Sequence, residues 1–459
     1  MIKHQISTKL DKLPIEEIAL CTNFSVHSDN QITAKSLLLS FFMMINTNAN
    51  TLFSWTNQLI ILLQKVFSIS GLRSKLSYRQ VDFAEALLKE CLKQELFKAS
   101  NDDLSSDLLS FFNRVLVEDS TCIKLPDNLA SIFRGAYSKT KGLVATARIQ
   151  CRIDLKQNHI VRLAIQAFRD NDQKFSVDIV EMLQPKDLVL RDLGYWSLKV
   201  FRQILDKQAY LLSRLRYGTN LYDLKGVQIN LHQHLEKSRR KGLHVVTISV
   251  LVGKEEQLPL QLVAIKVPAK QVEQRKRKAK KNRSKKSNHS KEYMELLEWT
   301  IFVTNVPDDV WTPQQMLKVY GFRWRIEIIF KCWKSNFNLS KLFEKKQSIA
   351  PPRAWITFYF LLVWITLFFN PLFNFVFARV AKTKQRFISI IKFAKLFKEH
   401  FSEAMNVWFI VHELGINQAV KQSDVHFFIQ LAAKNCAYDK KNKTSNYCQN
   451  LYMLNFNTR

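Results

Sequence analysis

The sequence is poor in the two residues that interrupt helices. Glycine and proline occur only ten times each among 459 residues, and so low a share favours long helices over a loop-rich design. Hydrophobic residues make up 47% of the chain, which excludes wholesale disorder and allows a sizeable core. At roughly 100–200 residues per domain, the length predicts two to four domains.

Paired cysteines, an apolar leader and a long hydrophobic run are also lacking. The seven cysteines are scattered and never spaced C-x-x-C, which argues against a disulfide framework or a zinc site and indicates a reducing compartment. The polar start, MIKHQISTKLDKLPIEE, predicts no signal peptide. The longest uncharged run, residues 355–369, is shorter than the roughly 20 residues of a membrane span. We therefore predict a buried helix there and no membrane association.

Acidic residues are scarce beside basic ones. The chain has 39 Asp and Glu against 69 Lys and Arg, a net charge of +30. This excess points to a polyanionic partner, with nucleic acid the first candidate and an anionic membrane surface the second. Residues 270–291 alone carry eleven Lys and Arg and one Glu. We predict that this run is a mobile, solvated loop that grips DNA phosphates without sequence preference.

Changes of sequence texture divide the chain into segments. After a helical start, the pattern runs through three strands, then helix, strand, helix and strand, which predicts an α/β layered core. Strand-like runs without helical partners follow, and then a strand and a long helix that begins at Thr312. The predicted segments are a helical region 1–110, a first core part 111–215, a β-rich insertion 216–295, a second core part 296–345, and a helical region 346–459.

The stretch YGFRWRIEIIFKCWKS (320–335) places one acid, Glu327, in a basic and aromatic helix. At about 100° per residue, an aromatic stripe lies opposite one polar sector. The polar sector contains Tyr320, Arg323, Glu327, Lys331 and Lys334. Taken alone, this pattern fits an ordinary amphipathic helix in which the glutamate pairs with a cation four residues away.

Two further carboxylates favour a catalytic interpretation of Glu327. Asp119 lies in a predicted strand on the face opposite Glu118, because side chains alternate along a strand. Asp192 follows a buried strand at its carboxyl end, where α/β sheets place ligands. Three carboxylates without His or Cys suit Mg²⁺ or Mn²⁺. Two such ions about 3.5–4 Å apart would clamp the oxygens of a phosphoryl displacement.

The spacing Tyr320-x2-Arg323-x3-Glu327-x6-Lys334 resembles the Y-x2-R-x3-E-x6-K signature of IS4-family insertion-sequence transposases. The segments EDSTCIKLPDNLA (118–130), KDLVLRDLGYWSL (186–198) and WTIFVTNVP (299–307) are similar to other parts of that family. The resemblance covers most of residues 75–345. One departure is Leu193, which stands where some relatives have an arginine after the second aspartate.

The resemblance implies an α/β fold: an RNase H-like catalytic core with a β-rich insertion, flanked by helical N- and C-terminal regions. By the same analogy, the N-terminal region 1–110 would bind DNA ends and the C-terminal region 346–459 would serve dimerisation. It implies a catalytic triad that also binds two Mg²⁺ or Mn²⁺ ions, formed by Asp119, Asp192 and Glu327. The DNA contacts it implies, extended to the neighbouring cations of the helix, are Tyr320, Arg323, Lys334, Lys331 and Arg325.

The predicted function is DNA transposition in the bacterial cytoplasm, in association with the nucleoid. The protein would bind the inverted-repeat ends of its element, nick them by water attack and join the freed 3′-OH to target DNA, as a homodimer. Three alternatives stay open from the residues: a nuclease or resolvase that does not join strands, a catalytically inactive DNA-binding copy, and a membrane-associated basic protein.

Overall fold

A computed structural model of the protein describes residues 1–24, 31–45, 51–97, 107–138, 142–170, 172–281, 290–337, 339, 343, 348–415 and 422–438. The strands within these residues are β1 (Val115–Lys124), β2 (Arg134–Ser138), β3 (Gly142–Asp154), β4 (His159–Ala167), β5 (Leu188–Arg191), β6 (Tyr210–Arg214), β7 (Leu221–Tyr222), β8 (Val245–Val252), β9 (Leu258–Lys266) and β10 (Trp299–Thr304).

Helices precede, interrupt and follow the strands. They are α1 (Ile2–Asp11), α2 (Ile15–Cys21), α3 (Ala34–Ile45), α4 (Leu52–Leu63), α5 (Ile69–Lys75), α6 (Tyr78–Phe97), α7 (Asp172–Phe175), α8 (Leu198–Asp206), α9 (Leu231–Arg240), α10 (Ala269–Lys281), α11 (Lys291–Leu296), α12 (Pro313–Gly321), α13 (Trp324–Asn336), α14 (Pro351–Trp364), α15 (Asn370–Lys384), α16 (Ile390–Glu399), α17 (Phe401–Phe409) and α18 (Gln422–Asn435). Short 3-10 and π-helical turns connect several of them.

Five strands form the centre of one mixed sheet, in the order β4-β3-β1-β5-β6. The strands β4, β3 and β1 are antiparallel neighbours, whereas β1, β5 and β6 run parallel to one another. The aliphatic sequence LVLR of β5 is fully buried, as expected for a parallel strand covered on both faces. The α/β fold predicted from the sequence is confirmed, and the strand order is consistent with an RNase H-like core.

The strands of the predicted insertion continue this sheet. β10 pairs antiparallel with β6, and β9, β8 and β7 follow in antiparallel order. The predicted strands are therefore present, but they extend the core sheet instead of forming a sheet of their own within the described residues. β10 pairs with β6 on one side and with β9 on the other, so the added strands cover the edge that β10 would otherwise leave open.

The long helix predicted from Thr312 is two helices. The Thr312 side chain accepts the Gln315 backbone N–H in a capping box, and Pro313 takes the first position of α12, as the sequence indicates. Helix α12 ends at Gly321, because glycine has a low helix propensity and destabilises a helix at its position. Helix α13 begins at Trp324.

The basic run predicted as a mobile loop is helical over Ala269–Lys281. Lys, Arg, Gln and Ala are strong helix formers, and one side of this helix packs on the protein. The prediction of a shapeless loop is wrong for this part of the run. Residues 282–289 of the same run lie outside the described residues.

The N- and C-terminal helices share one core against the sheet face that carries Val117. Phe41 and Phe42 of α3 lie against Phe360 and Trp364 of α14, with ring centroids 5.4 and 5.2 Å apart. Aromatic pairs at such distances contribute more than their buried area alone. The two ends of the chain are thus held together by a common apolar interior.

The apolar segment 355–369 lies inside this core, as predicted. It belongs to a helix, Pro351–Lys384, that is long and apolar enough to cross a membrane by length and composition. Of its apolar window, 78% is buried inside the protein. The long hydrophobic run is therefore accounted for by packing against the other helices.

Candidate active site

Asp119 projects from the middle of β1 toward the helical side of the sheet. It shares its face with Val117 and lies opposite Cys151 of β3. Its side chain retains one fifth of its exposure, so it lies at the border between the core and solvent. Glu118, one residue earlier, points to the other face and is buried.

Asp192 lies beside Asp119 because their strands are parallel neighbours. Val117 of β1 is in register with Leu190 of β5, and each aspartate follows two residues later. Asp192 comes directly after β5 and precedes a 3-10 turn at Leu193–Tyr195. This position at the carboxyl end of a buried strand is the one predicted.

Glu327 lies on a helix and not on a strand, in the first turn of α13. The helix is fixed by its apolar side, where Ile326, Phe330 and Trp333 are buried in the same core as Val117. Glu327 lies on the more exposed side and is partly open to solvent. The helical periodicity thus buries the aromatic stripe and leaves the carboxylate at the surface of the sheet.

The guanidinium of Arg323 lies among all three carboxylates. Its Nη2 is 3.0 Å from Glu327 Oε1, its Nη1 is 3.4 Å from Asp119 Oδ2, and its Nε is 3.8 Å from Asp192 Oδ1. One cation therefore brings together the strand acids and the helix acid, and the sequence-predicted triad converges on one point. The i,i+4 pair of Arg323 and Glu327 is present, but it is part of this larger cluster.

The environment of Asp119 opposes its negative charge. Burial, with smaller contributions from the nearby carboxylates of Asp192 and Glu327, raises the pKa of Asp119 to about 6. The Ser120 backbone N–H and the Arg323 guanidinium act in the other direction. Like charges that disfavour ionisation in this way are common where a bound cation restores the balance.

The three acids fit divalent metal ions by chemistry. Their donors are all carboxylate oxygens, which suit Mg²⁺ or Mn²⁺ rather than Zn²⁺. Within the described residues, no three His, Cys, Asp or Glu side chains are grouped closely enough to hold a metal ion. In the arrangement described here, the space between the carboxylates is taken by Arg323. An ion could be held there if Arg323 turned outward and the carboxylates closed around the ion.

Tyr320 borders the acids on the α12 side. Its hydroxyl donates to the Arg191 carbonyl oxygen at 3.3 Å, and its ring packs on Phe302 with centroids 5.0 Å apart. Burial raises the pKa of Tyr320 to about 12, and the charge of Asp192 adds to the effect. The phenol of Tyr320 is therefore a neutral hydrogen-bonding group close to Asp192.

The predicted lysines lie further along α13. Lys331 is exposed and Lys334 is partly exposed. The Lys334 charge reaches Cys122 of β1, whose pKa is raised by burial and lowered in part by Arg148 and Lys334. Both lysines thus extend the charged side of the helix away from the triad.

Arg325 does not belong to this cluster. Its side chain is 1% exposed, donates to Asn158 Oδ1 at 3.3 Å, and lies over the rings of Phe373 and Phe377 at 5.7 and 5.6 Å. Two residues along a helix turn the side chain by about 200° from Arg323. In this arrangement Arg325 cannot contact DNA, so its inclusion among the predicted contacts is corrected.

A buried ion network behind the two aspartates was missed in the sequence. Glu118 directly precedes Asp119, and Arg191 directly precedes Asp192; their charged groups are 2.9 Å apart on the far face of the sheet. Arg152 also pairs with Glu118 and lies 3.2 Å from Asp178. The sequence could have predicted this pair. Because side chains alternate along a strand, the residues that precede the two aspartates lie together on the opposite face of the sheet whenever the aspartates lie together.

Asp172 has a structural partner that the sequence did not indicate. It begins α7 and accepts from Arg148 Nη1 at 2.6 Å and Gln150 Nε2 at 2.9 Å. Gln150 in turn accepts from the Tyr195 hydroxyl at 2.5 Å. These contacts tie the 3-10 turn after Asp192 to β3.

A cleft of about 680 Å³ opens next to Asp192, between the core and the extended part of the sheet. Its wall begins with Leu193 and Gly194 and continues along aromatic and basic side chains. These are Trp196, Arg214, Arg216, Tyr217, Tyr293 and Trp299. The cleft combines ring faces with cations, as surfaces that bind nucleic acids do.

The chain is similar to known transposases. The family described as the transposase DDE domain matches residues 110–350. The transposase for insertion sequence element IS231B of Bacillus thuringiensis subsp. berliner is 28% identical over 325 residues, 66% of each chain. The transposase for IS231F of Bacillus thuringiensis subsp. israelensis is 30% identical over 302 residues, 61% of this chain and 62% of the relative.

A more distant relative aligns over more of its length. The transposase for IS1151 of Clostridium perfringens is 22% identical over 368 residues, 75% of this chain and 76% of the relative. The chain spans just under two thirds of the IS231B and IS231F relatives. The family match includes Asp119, Asp192 and Glu327 and extends over more than half of the chain. The chain therefore belongs to the transposase DDE domain family.

Proposed function

We propose that the protein is the transposase of an insertion sequence of the IS4 group. In this function it binds the inverted-repeat ends of its element and catalyses strand cleavage and strand transfer. The observation that carries the proposal is the convergence of Asp119, Asp192 and Glu327 around one guanidinium, at the carboxyl end of a parallel strand. The family membership and the excess of positive charge support it.

The three carboxylates are proposed as ligands of two Mg²⁺ or Mn²⁺ ions. When bound, such ions activate the attacking oxygen and stabilise the leaving oxygen of an in-line displacement. The strands hold Asp119 and Asp192 side by side, and α13 brings Glu327 to them. Because the pKa of Asp119 is raised to about 6, metal binding below about pH 6 must release a proton from this carboxyl group.

The cations of α13 are proposed to hold the DNA backbone beside the acids. Arg323 presents a planar fork that suits a phosphate as well as a carboxylate. Tyr320, Lys331 and Lys334 lie on the same side of the helix pair, whereas Arg325 is buried. DNA phosphates would therefore compete with the carboxylates for Arg323 and draw it out of the triad.

Finer features of the function follow from the same proposal. The substrates are double-stranded element ends and target DNA, and two ends are held together by a homodimer. The protein acts in the bacterial cytoplasm at the nucleoid and does not require a membrane, because the long apolar helix is largely covered by protein.

Strand transfer is the activity that separates a transposase from a nuclease of the same fold. A duplex that carries the element end, already cut to expose its 3′-OH, is incubated with supercoiled target DNA and Mg²⁺. A transposase joins the two and relaxes or linearises the target. Hydrolysis of intact ends without joined products would show a nuclease or resolvase instead.

A further inference from the structure

The basic helix α10 is docked on the protein by one side. Its covered residues recur at helical spacing, namely Val272, Arg275, Lys276 and Ala279. Ala279 is buried and the other three are partly buried. This i, i+3, i+4, i+7 pattern is that of a surface helix with a defined inner side.

Polar anchors fix the helix at one register. Arg275 Nη1 donates to the carbonyl oxygens of Trp299 at 3.1 Å and Leu297 at 3.4 Å, and its Nη2 donates to Thr300 Oγ1 at 2.8 Å. Lys276 pairs with Glu298 at 2.8 Å. These partners lie where the chain enters β10, the strand that leads to α12 and α13.

The opposite side of α10 presents a row of cations. At about 100° per residue, Lys270, Arg277 and Lys281 fall within about 40° of one another, opposite the docked side. At about 1.5 Å per residue the row is about 16 Å long. Lys278 and Lys280 flank it, and all five are exposed. Among the described residues, none of the five pairs with a carboxylate.

The docked side of α10 borders a groove that shares residues with the large cleft. This smaller groove, between α9 and α10, is lined by Arg239, Lys276, Leu296 and Trp299. Leu296 and Trp299 also line the large cleft, which reaches Leu193 beside Asp192. Helix α10 therefore packs next to residues that form one end of the large cleft.

Duplex DNA is the partner that this surface fits. DNA carries one negative charge per about 1.7 Å of helix axis, so a straight row of lysines and arginine faces several phosphates. Helices that bind membrane surfaces use a large apolar side for insertion, whereas the apolar residues of α10, Val272 and Ala279, lie on its docked side. Lysines on a helix surface contact phosphates without reading bases.

We propose that the exposed row of α10, Lys270, Arg277 and Lys281, is a rigid phosphate-binding surface for duplex DNA. The proposal rests on the proposed function and adds to it a second DNA contact, away from α13. It differs from a mobile polycation because the positions of the charges are set by Arg275.

Two pairs of variants test the proposal. The first pair compares the triple change Lys270→Ala, Arg277→Ala and Lys281→Ala with Lys384→Ala, Arg386→Ala and Lys395→Ala, three exposed cations of the C-terminal helices. The second pair compares Gln274→Pro, which breaks α10 without changing its charge, with Ala269→Pro at the first helical position, where proline is tolerated. Affinity for an end-containing duplex is measured from about 0.05 to 0.3 M salt.

The row variant is expected to lower affinity on the order of a hundredfold at 0.15 M salt and to flatten the log–log salt slope by about 2.7, or about 0.9 per contact. Gln274→Pro should also lower affinity, while both control variants match the wild type. Equal affinities for the row variant and its control would overturn the proposal. An unchanged Gln274→Pro variant with intact overall fold by circular dichroism would overturn the rigid arrangement.

The outcome can be separated from a failure of the proposed function. Cleavage by the row variant is measured in Mg²⁺ at DNA concentrations that saturate it, and wild-type rates are expected there because the triad is untouched. A wild-type protein that binds the duplex through α10 but never cuts it would refute the transposase function alone. A row variant that binds normally but cannot cut would contradict a role in DNA binding.

Discussion

At the scale of single residues, the environment of Asp119 opposes the ionisation of its carboxyl group. Its pKa is raised from 3.8 to about 6 by burial and by the neighbouring acids. The folded protein therefore binds this proton more tightly than the unfolded chain. The resulting stabilisation is complete below about pH 4 and is lost as the pH rises through about 6.

We expect Asp119→Asn to be more stable than the wild type at pH 8 in the presence of a chelator, because the amide carries no charge to bury. The difference in the free energy of unfolding should reach at most about 3 kcal/mol and vanish below about pH 4. Urea unfolding between these pH values measures it, with Asp206→Asn, an exposed aspartate of α8, as the control. Parallel pH profiles for wild type and Asp119→Asn would contradict the environment described for Asp119.

Replacement of Arg323 by alanine and replacement of Arg325 by alanine should affect different properties, namely DNA binding and stability. Arg323→Ala, like Lys334→Ala, is expected to weaken end binding and cleavage together, and more strongly at low salt. Arg325→Ala removes a buried guanidinium from Asn158 and two aromatic rings, so it should lower the free energy of unfolding. Filter binding across salt concentrations, with thermal unfolding of each variant, distinguishes the two effects. Unchanged DNA binding by Arg323→Ala would make it a structural ion-pair partner only.

At the scale of elements, the network of Glu118, Arg152 and Arg191 joins three neighbouring strands behind the acids. Glu118→Gln leaves two buried arginines without their shared carboxylate, and breaking a buried pair in this way costs about 3–5 kcal/mol. We expect a large fall in melting temperature, measured by calorimetry, and slower cleavage because β1 and β5 lose a bond that holds their register. The exposed Glu181→Gln is the control. Equal melting temperatures for the two variants would refute the role of the network.

The elements that were predictable from the sequence are those whose patterns are local. Local patterns predicted the strand that contains Asp119, the buried strand before Asp192 and the helix start at Thr312, which are β1, β5 and the start of α12 in the structure. The docked helix α10 was missed because its charge density suggested solvation, whereas the carbonyl oxygens that hold Arg275 lie more than twenty residues away in the chain. Arg325 was misplaced because the predicted DNA contacts were extended to neighbouring cations of the helix, although two residues along a helix turn a side chain by about 200° from Arg323.

At the scale of the whole molecule, the link between the chain ends was beyond sequence patterns. Glu413 of the C-terminal region is 1% exposed and pairs with Lys12 of the N-terminal region at 2.5 Å, with Lys9 at 3.9 Å. No local sequence pattern at either position indicates a partner some 400 residues away in the chain. The proposed triad was named from the sequence through strand positions and the resemblance to IS4-family transposases, but the convergence of its members on Arg323 required the sheet order and the path of α13.

The most direct test of the central claim is cleavage of an element-end duplex in Mg²⁺ by the triad variants. Glu327→Gln, Asp119→Asn and Asp192→Asn are compared with the wild type and with Glu399→Gln, an exposed control on α16. The account predicts that each triad variant loses cleavage while its affinity for the end stays nearly intact, because the ligands of the metal are lost and the phosphate contacts remain. Near-wild-type cleavage by any one of the three would contradict the assignment of Asp119, Asp192 and Glu327 as the catalytic acids.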